Sequence, residues 1–345
     1  MSLAGGNNGM PRIGIMGAGA IGLYVGGMLA TAGARVTFAA RGRTLDALSR
    51  GLAVTRIGGF KAELKPERYR AGGVSELAGC DVILFCTKSG DTEDAARELE
   101  GVLSKPVTVI SLQNGVGNID LLSSSLPGHE IVAGTVPFNV VRMSPNAVHC
   151  AMTGRVLIGP GAASQRLVEA VQGSPLAIEI RDDINAVLWG KLMLNLNNGL
   201  NVVSGVPLRQ QFTDPGYRQV LAMAMDELLA ALDAAGIEPA GATRTSPRLI
   251  PKVLRLPTWL FRIIARQQLR MDATARSSSW DDLKAGRVPE TAFLNGAVCR
   301  LAETQGLQAP VNRFISDMVE QAFAAGASPE MTGPQLLARV RTALN

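Results

Sequence analysis

Three glycines near the start of the chain, Gly17, Gly19 and Gly22, span the junction of an apolar run, RIGIM, with a longer one, AIGLYVGGMLATA, that stops at Gly33. That order predicts strand, tight turn and helix, followed by a second strand, RVTFAA, ending at Ala39–Ala40. In G-x-G-x-x-G the first glycine allows the turn, the second lets backbone approach a pyrophosphate, and the third lets the helix pack closely on the strand. The free N–H groups and positive dipole end of the helix then face an anion. The stretch Gly17, Ala18, Gly19, Ala20, Ile21 and Gly22 is therefore the expected dinucleotide cradle.

The residue after the second strand selects the dinucleotide. Chains that bind NAD usually place Asp or Glu there to bond the ribose hydroxyls. This chain has Arg41, with Arg43 two residues on. A guanidinium grips a 2′-phosphate that a carboxylate would repel, so NADP (NADPH) is the expected cofactor. The alternative is that both arginines are solvated loop residues.

Further along, LAVTRIGGFKAELK alternates around Gly58–Gly59 as a hairpin would. DVILFC, from Asp81 to Cys86, is a buried strand followed by Thr87 and Lys88, and VTVISL leads into Gln113 and Asn114. Ligands of open parallel sheets sit outside these carboxyl ends. Lys88 is thus a candidate phosphate or ribose contact, or a surface lysine. Asn114 is a candidate partner for the nicotinamide amide or a substrate oxygen, or an ordinary turn asparagine before glycine. Between Ile131 and Ile180 the strands shorten, and VHCAMTGRVLIG suggests another hairpin. Charge gathers at Arg181–Asp183, where an aspartate can cap the helix that follows, and no strand alternation is evident beyond Ile180. The expected fold is α/β, an N-terminal Rossmann-type parallel-sheet domain (11–181, after a leader, 1–10) followed by an all-α C-terminal domain (182–345).

In AVLWGKLMLNLNNGLNVV, Lys191, Asn195 and Asn198 are four and three residues apart and share one helical face. Leu188, Leu192, Met193, Leu196, Leu200 and Val202 supply an apolar surface around them. Desolvation lowers a lysine pKa, which suits a proton donor near neutrality. The competing reading is a lysine that reaches out of the core, with asparagines bonded to backbone.

Composition narrows the rest. At 345 residues with 47% hydrophobic side chains, the chain can bury two cores. A net charge of +5, with cations scattered among acids and few aromatics, argues against nucleic acid and suits small anions. Cys80, Cys86, Cys150, Cys299, His129 and His149 lack the spacing of a metal site or a disulfide framework. No apolar run reaches membrane-spanning length and no signal peptide is evident, so stable membrane insertion is not expected and cytoplasmic residence is. Arg244 to Arg270 mixes arginines, large apolar residues and three internal prolines. It reads as a packed helical insertion rather than a membrane-surface helix, because prolines break an amphipathic stripe.

A last stretch, SSSWDDLKAGRVPETAFLNGAV, puts Glu290 where the first turn of a helix is expected, a position that ordinarily favours the dipole. Together with GAGAIG, CTKSGD, QNGVG and WGKLMLN it makes the chain resemble the ketopantoate reductase family from Arg12 to about Met318. The resemblance implies reduction of a 2-oxo acid, 2-dehydropantoate, by NADPH, within pantothenate and coenzyme A biosynthesis. It implies that Lys191 is the catalytic lysine, that Asn195 and Asn114 bind substrate, with Asn114 also touching the nicotinamide, and that Ser278 holds the substrate carboxylate. Glu290 would lie against the cofactor or the developing hydroxyl, and Arg41 and Lys88 would hold the adenosine phosphate. Departures are Gly199 where the family commonly has a second asparagine, flanked here by Asn198 and Asn201, and Thr291-Ala292-Phe293 where Ile-Asp-Tyr is common. The other readings are a reductase of another 2-oxo acid, a 3-hydroxyacid dehydrogenase type, and an NADPH-sensing protein without turnover. The expected partner is the small 2-oxo acid, and a homodimer is left open.

Overall fold

The computed structural model describes residues 10–241, 246–267 and 269–344, which fall into two units: 10–114 with 118–184, and 115–117 with 185–344. The leader through residue 9, and Arg244, Thr245 and Gln268 of the proline-broken stretch, lie outside the described residues.

In the first unit β1 (Arg12–Met16), α1 (Ala20–Thr31) and β2 (Arg35–Ala39) surround the glycine turn. α2 (Gly42–Leu48), β3 (Leu52–Arg56), β4 (Lys61–Leu64) and β5 (Arg70–Gly72) follow. β6 (Val82–Phe85), α3 (Thr92–Glu100), β7 (Thr108–Ser111), α4 (Asn118–Ser125) and β8 (Glu130–Thr135) continue the alternation. β9 (Val140–Ser144), β10 (Ala147–Cys150), β11 (Arg155–Ile158), α5 (Ser164–Ala170) and β12 (Ala177–Ile180) complete it.

Among the described residues one sheet runs β12-β11-β8-β7-β6-β1-β2-β5 and a second runs β4-β3-β10-β9. From β5 across to β8 the strands are parallel; β11 turns antiparallel to β8 and carries β12 parallel to itself. The central strands are apolar at every turn of the pleat because both faces are covered: Ile13, Ile15, Val82, Ile83, Leu84 and Val109 are all fully buried. Strand order reverses between β1 and β6, and the carboxyl ends at such a switch point are where an open α/β sheet binds its ligand.

The hairpin at Gly58–Gly59 forms as expected, with both glycines left-handed (φ +91° and +93°) between β3 and β4. VHCAMTGRVLIG is not a hairpin. β10 belongs to the four-stranded sheet and β11 to the larger one. The true partner of β10 is β9, reached through Pro145–Asn146, a stronger turn signal than Met152–Gly154.

The second unit contains α6 (Ile184–Ser204), α7 (Leu208–Thr213), α8 (Pro215–Ala234), α9 (Ile250–Leu254) and α10 (Thr258–Ile264). α11 (Ser278–Lys284), α12 (Asn295–Thr304), α13 (Pro310–Ala325) and α14 (Gly333–Ala343) follow, and no strand occurs among the described residues of this unit. Residues 115–117 join it: the Val116 N–H donates to the Phe293 carbonyl at 3.1 Å, and Val116 packs on the helical core. Leu192, Leu196 and Leu200 of α6 are essentially inaccessible, each contributing about 1.5–3 kcal/mol of burial. The proline-broken stretch splits into short helices. Phe261 packs inward under the buried Arg218 guanidinium, 4.3 Å above its ring, whereas Trp259, Ile263 and Ile264 are exposed.

None of the described helices is long and apolar enough to cross a membrane. The four cysteines are free. Cys80, Cys150 and Cys299 are buried, burial pushes the thiols of Cys80 and Cys299 up, and it pushes that of Cys86 up to about 12.

Candidate functional site

At the carboxyl end of β1 the chain turns on Gly17, left-handed at φ +103°, where a Cβ would lie 2.8 Å from the Thr87 nitrogen. A Cβ on Gly22 would collide with the Gly17 carbonyl, so this glycine lets α1 rest on the turn. Gly19 faces open space, and no side chain caps α1, which leaves its first N–H groups available to an anion. Alongside is a cavity of about 440 Å³, lined by Met16, Gly17, Ala18, Ala39, Ala40, Arg41 and Thr44, with Thr87 and the α3 side bearing Asp91, Asp94, Ala95 and Glu98. The cradle has the open backbone approach and close helix packing that a dinucleotide pyrophosphate requires.

Arg41 reaches the rim of this cavity, exposed and ion-paired with Glu98. Arg43 is exposed and is not among the lining residues. Lys88, half-buried, begins the turn after β6 beside Thr87, and its carbonyl accepts the Asp91 N–H at 3.0 Å. Asn114 lies three residues beyond the end of β7; its carbonyl accepts from Ser89 Oγ (3.0 Å) and Asn118 Nδ2 (2.9 Å). Beneath it the buried Gln113 donates to Thr92 Oγ1 at 2.7 Å, and Thr92 in turn donates to Asn118 Oδ1 at 3.1 Å. This buried polar net ties the ends of β6 and β7 together; Ser89, Thr92 and Asn118, which complete it around Asn114 and Gln113, carry no signal of that role in the sequence.

In the helical unit Lys191, Asn195 and Asn198 are half-buried on one face of α6, with the exposed Leu194 between them and the buried Leu192, Met193 and Leu196 alongside. Burial lowers the Lys191 pKa to about 8, against the opposing pull of the Glu290 carboxylate, which favours the charged amine. The amine is therefore close to its titration point near neutral pH. Glu290 is buried (6% exposed) but does not stand in the first turn of α12 as expected. It precedes a short 3₁₀ turn, Thr291–Phe293, and α12 begins only at Asn295. Leu294, at φ −114° and ψ −100°, breaks helical geometry, and the Phe293 carbonyl is taken by Val116.

Ser278 is the exposed first residue of α11, and its neighbour Ser277 caps that helix by accepting the Trp280 N–H at 3.2 Å. The anchor of this cap is Asn201, wholly buried: its Oδ1 accepts the Ser277 N–H at 2.9 Å, and its Nδ2 donates to the Val206 carbonyl and to Gln211 Oε1 at 2.9 and 2.8 Å. Gln211 Nε2 closes the net on Asn197 Oδ1 at 2.5 Å. Asn201 is thus consumed by structural bonds, whereas Asn198 keeps a partly exposed side chain. Asn197 and Asn201, four apart, form a second polar line on α6, a signal that spacing alone could have flagged.

Comparison with known proteins agrees over most of the chain. The family model described as ketopantoate reductase PanE/ApbA matches residues 13–163, and the model of its C-terminal region matches 183–322. A 2-dehydropantoate 2-reductase from Archaeoglobus fulgidus is 28% identical over 315 residues, spanning 89% of this chain and 96% of its own. One from Halobacterium salinarum is 28% identical over 325 residues, 91% of this chain and all of its own (100%). A PanE/ApbA family ketopantoate reductase from Ralstonia eutropha JMP134 superposes with a TM-score of 0.78 at 30% identity, covering 91% of this chain and 99% of its own. D-mandelate dehydrogenase, solved with NADH and anilino(oxo)acetate, reaches 0.75 at 21% identity over 91% of this chain and 99% of its own, a likeness of fold alone. With both halves matched in order, the chain belongs to the ketopantoate reductase PanE/ApbA family and is an oxidoreductase.

Proposed function

We propose that this protein reduces 2-dehydropantoate to pantoate with NADPH, a step of pantothenate and coenzyme A biosynthesis. The observation that carries the reading is Lys191, a half-buried amine whose pKa burial lowers to about 8, with the buried Glu290 carboxylate acting on it. When bound, NADPH would supply the hydride that the carbonyl carbon of the acid accepts. Charge then gathers on the keto oxygen, where the Lys191 ammonium neutralises it and transfers its proton, leaving the 2-hydroxy acid. Glu290 keeps that amine charged before the transfer. Asn195, Asn198 and Asn114 orient the substrate by hydrogen bonds, and Ser278 bonds its carboxylate. The Gly17–Gly22 backbone binds the pyrophosphate, and Arg41 with Lys88 binds the adenosine phosphate, which favours NADPH over NADH. The likeness to the Archaeoglobus and Halobacterium 2-dehydropantoate 2-reductases supports the choice of acid.

The test is NADPH consumption with 2-dehydropantoate beside a panel of other 2-oxo acids, and NADP⁺ reduction with 3-hydroxy acids. The expected result is the highest kcat/KM with 2-dehydropantoate. A better 2-oxo acid would reassign the substrate, activity confined to 3-hydroxy acids would reassign the reaction, and tight NADPH binding with no turnover on any acid would make the protein a sensor.

A further inference from the structure

Arg41, which rests on the reading above as the group that selects a 2′-phosphate, is already engaged: its guanidinium is paired with Glu98 of α3, across the mouth of the dinucleotide cavity that both residues line. We propose that Glu98 sets how strongly the protein discriminates between phosphorylated and unphosphorylated cofactors, by competing with the 2′-phosphate for Arg41 and by offering the ribose a carboxylate from α3. A 2′-phosphate arriving at Arg41 must displace Glu98 or sit beside it, and two anions sharing one guanidinium repel each other. A 2′-hydroxyl meets no such conflict. It can donate to the same carboxylate, the role that NAD-binding chains give to an acid at the end of the second strand. Here that strand ends in Ala39–Ala40–Arg41, so the acid comes from a helix more than fifty residues later rather than from the strand end.

The neighbouring acids are not equivalent. Asp94 lines the same wall, but its carboxylate is taken by Arg97 at 2.9 Å. Removing its charge changes the field over the whole cavity without releasing Arg41. Glu98→Gln removes the same charge and releases it. The pair is exposed, with the Arg41 side chain at 71% and Glu98 at 44%, so the competition is modest and sensitive to salt.

The test measures binding without turnover, using 2′,5′-ADP and 5′-AMP as probes and calorimetric titration of the full-length protein, with NADPH and NADH titrated in parallel. E98Q should tighten 2′,5′-ADP by about two- to fivefold. It should leave 5′-AMP unchanged or weaker, so that the ratio of the two rises, and the gain should fade at high salt. D94N should shift both probes alike. An E98Q ratio equal to wild type, or a D94N ratio that rises as much, would overturn the proposal. Failure of the cofactor reading looks different: wild type would bind 2′,5′-ADP no tighter than 5′-AMP, and Arg41→Ala would change neither. Because Glu98 is exposed, E98Q should melt within a degree or two of wild type, and E98A provides a second variant with the same expected ratio change.

Discussion

Lys191 must be charged when a carbonyl approaches and neutral after reduction, so its usefulness depends on a pKa near the working pH. Burial takes it down to about 8 while Glu290 opposes the fall. The protonated donor is therefore present below that value and is lost as pH rises through it. Reductive kcat should accordingly fall with a one-proton slope above about pH 8. In Glu290→Gln the negative charge that holds the proton is gone, and the inflection should move lower; an unmoved inflection would remove Glu290 from this role. Lys191→Ala should cost kcat about 10²- to 10⁴-fold while leaving NADPH binding near wild type in a fluorescence titration. Near-normal turnover would end the assignment. Lys191 stands out in the sequence as a candidate because it shares an apolar helix with Asn195 and Asn198 at helical spacing, although a lysine reaching out of the core fits the same pattern. Glu98 does not, since a glutamate on an exposed helix face looks like any solvated acid until its partner, Arg41, is located.

At the scale of elements, α6 bears Lys191 and, through Asn201, fixes the cap residue beside Ser278. Asn201→Ala would strip partners from the buried Ser277 N–H, the Val206 carbonyl and Gln211, at a stability cost of about 1–3 kcal/mol in urea titrations. As a positioning residue it should raise KM for the 2-oxo acid more than it lowers kcat, with NADPH affinity unaltered. Asn201→Asp, which keeps the acceptor for Ser277, should recover part of the KM. A folded Asn201→Ala enzyme with wild-type KM would show the bond to be structural only. The helix itself could be read from the four-and-three spacing of Lys191, Asn195 and Asn198, a local property. The Asn201–Ser277 bond spans seventy-six residues of chain, and no local pattern encodes such a pairing. The misread hairpin at β10 has a similar origin. Periodicity marked both strands correctly, but it cannot say which sheet each one joins.

Over the whole molecule, the alternation of strands and helices followed by helices alone made the fold class legible from composition and period. A single cut in the chain near 181–182 is less informative than the contacts, which assign residues 115–117 to the helical unit well before the chain settles there. That assignment depends on Val116 meeting Phe293, a pairing visible only in three dimensions. The sulfur chemistry is also a property of the whole. Three of the thiols are enclosed, and the fourth, Cys86, is held protonated far above physiological pH. Since alkylation and peroxide oxidation proceed through the thiolate, the native enzyme should incorporate almost no iodoacetamide at neutral pH over a period in which the urea-unfolded chain takes up four equivalents. Rapid labelling of two or more sites would contradict this. An enzyme so built has no need of reductant on the bench, and a burst of peroxide in its surroundings should pass without altering its rate.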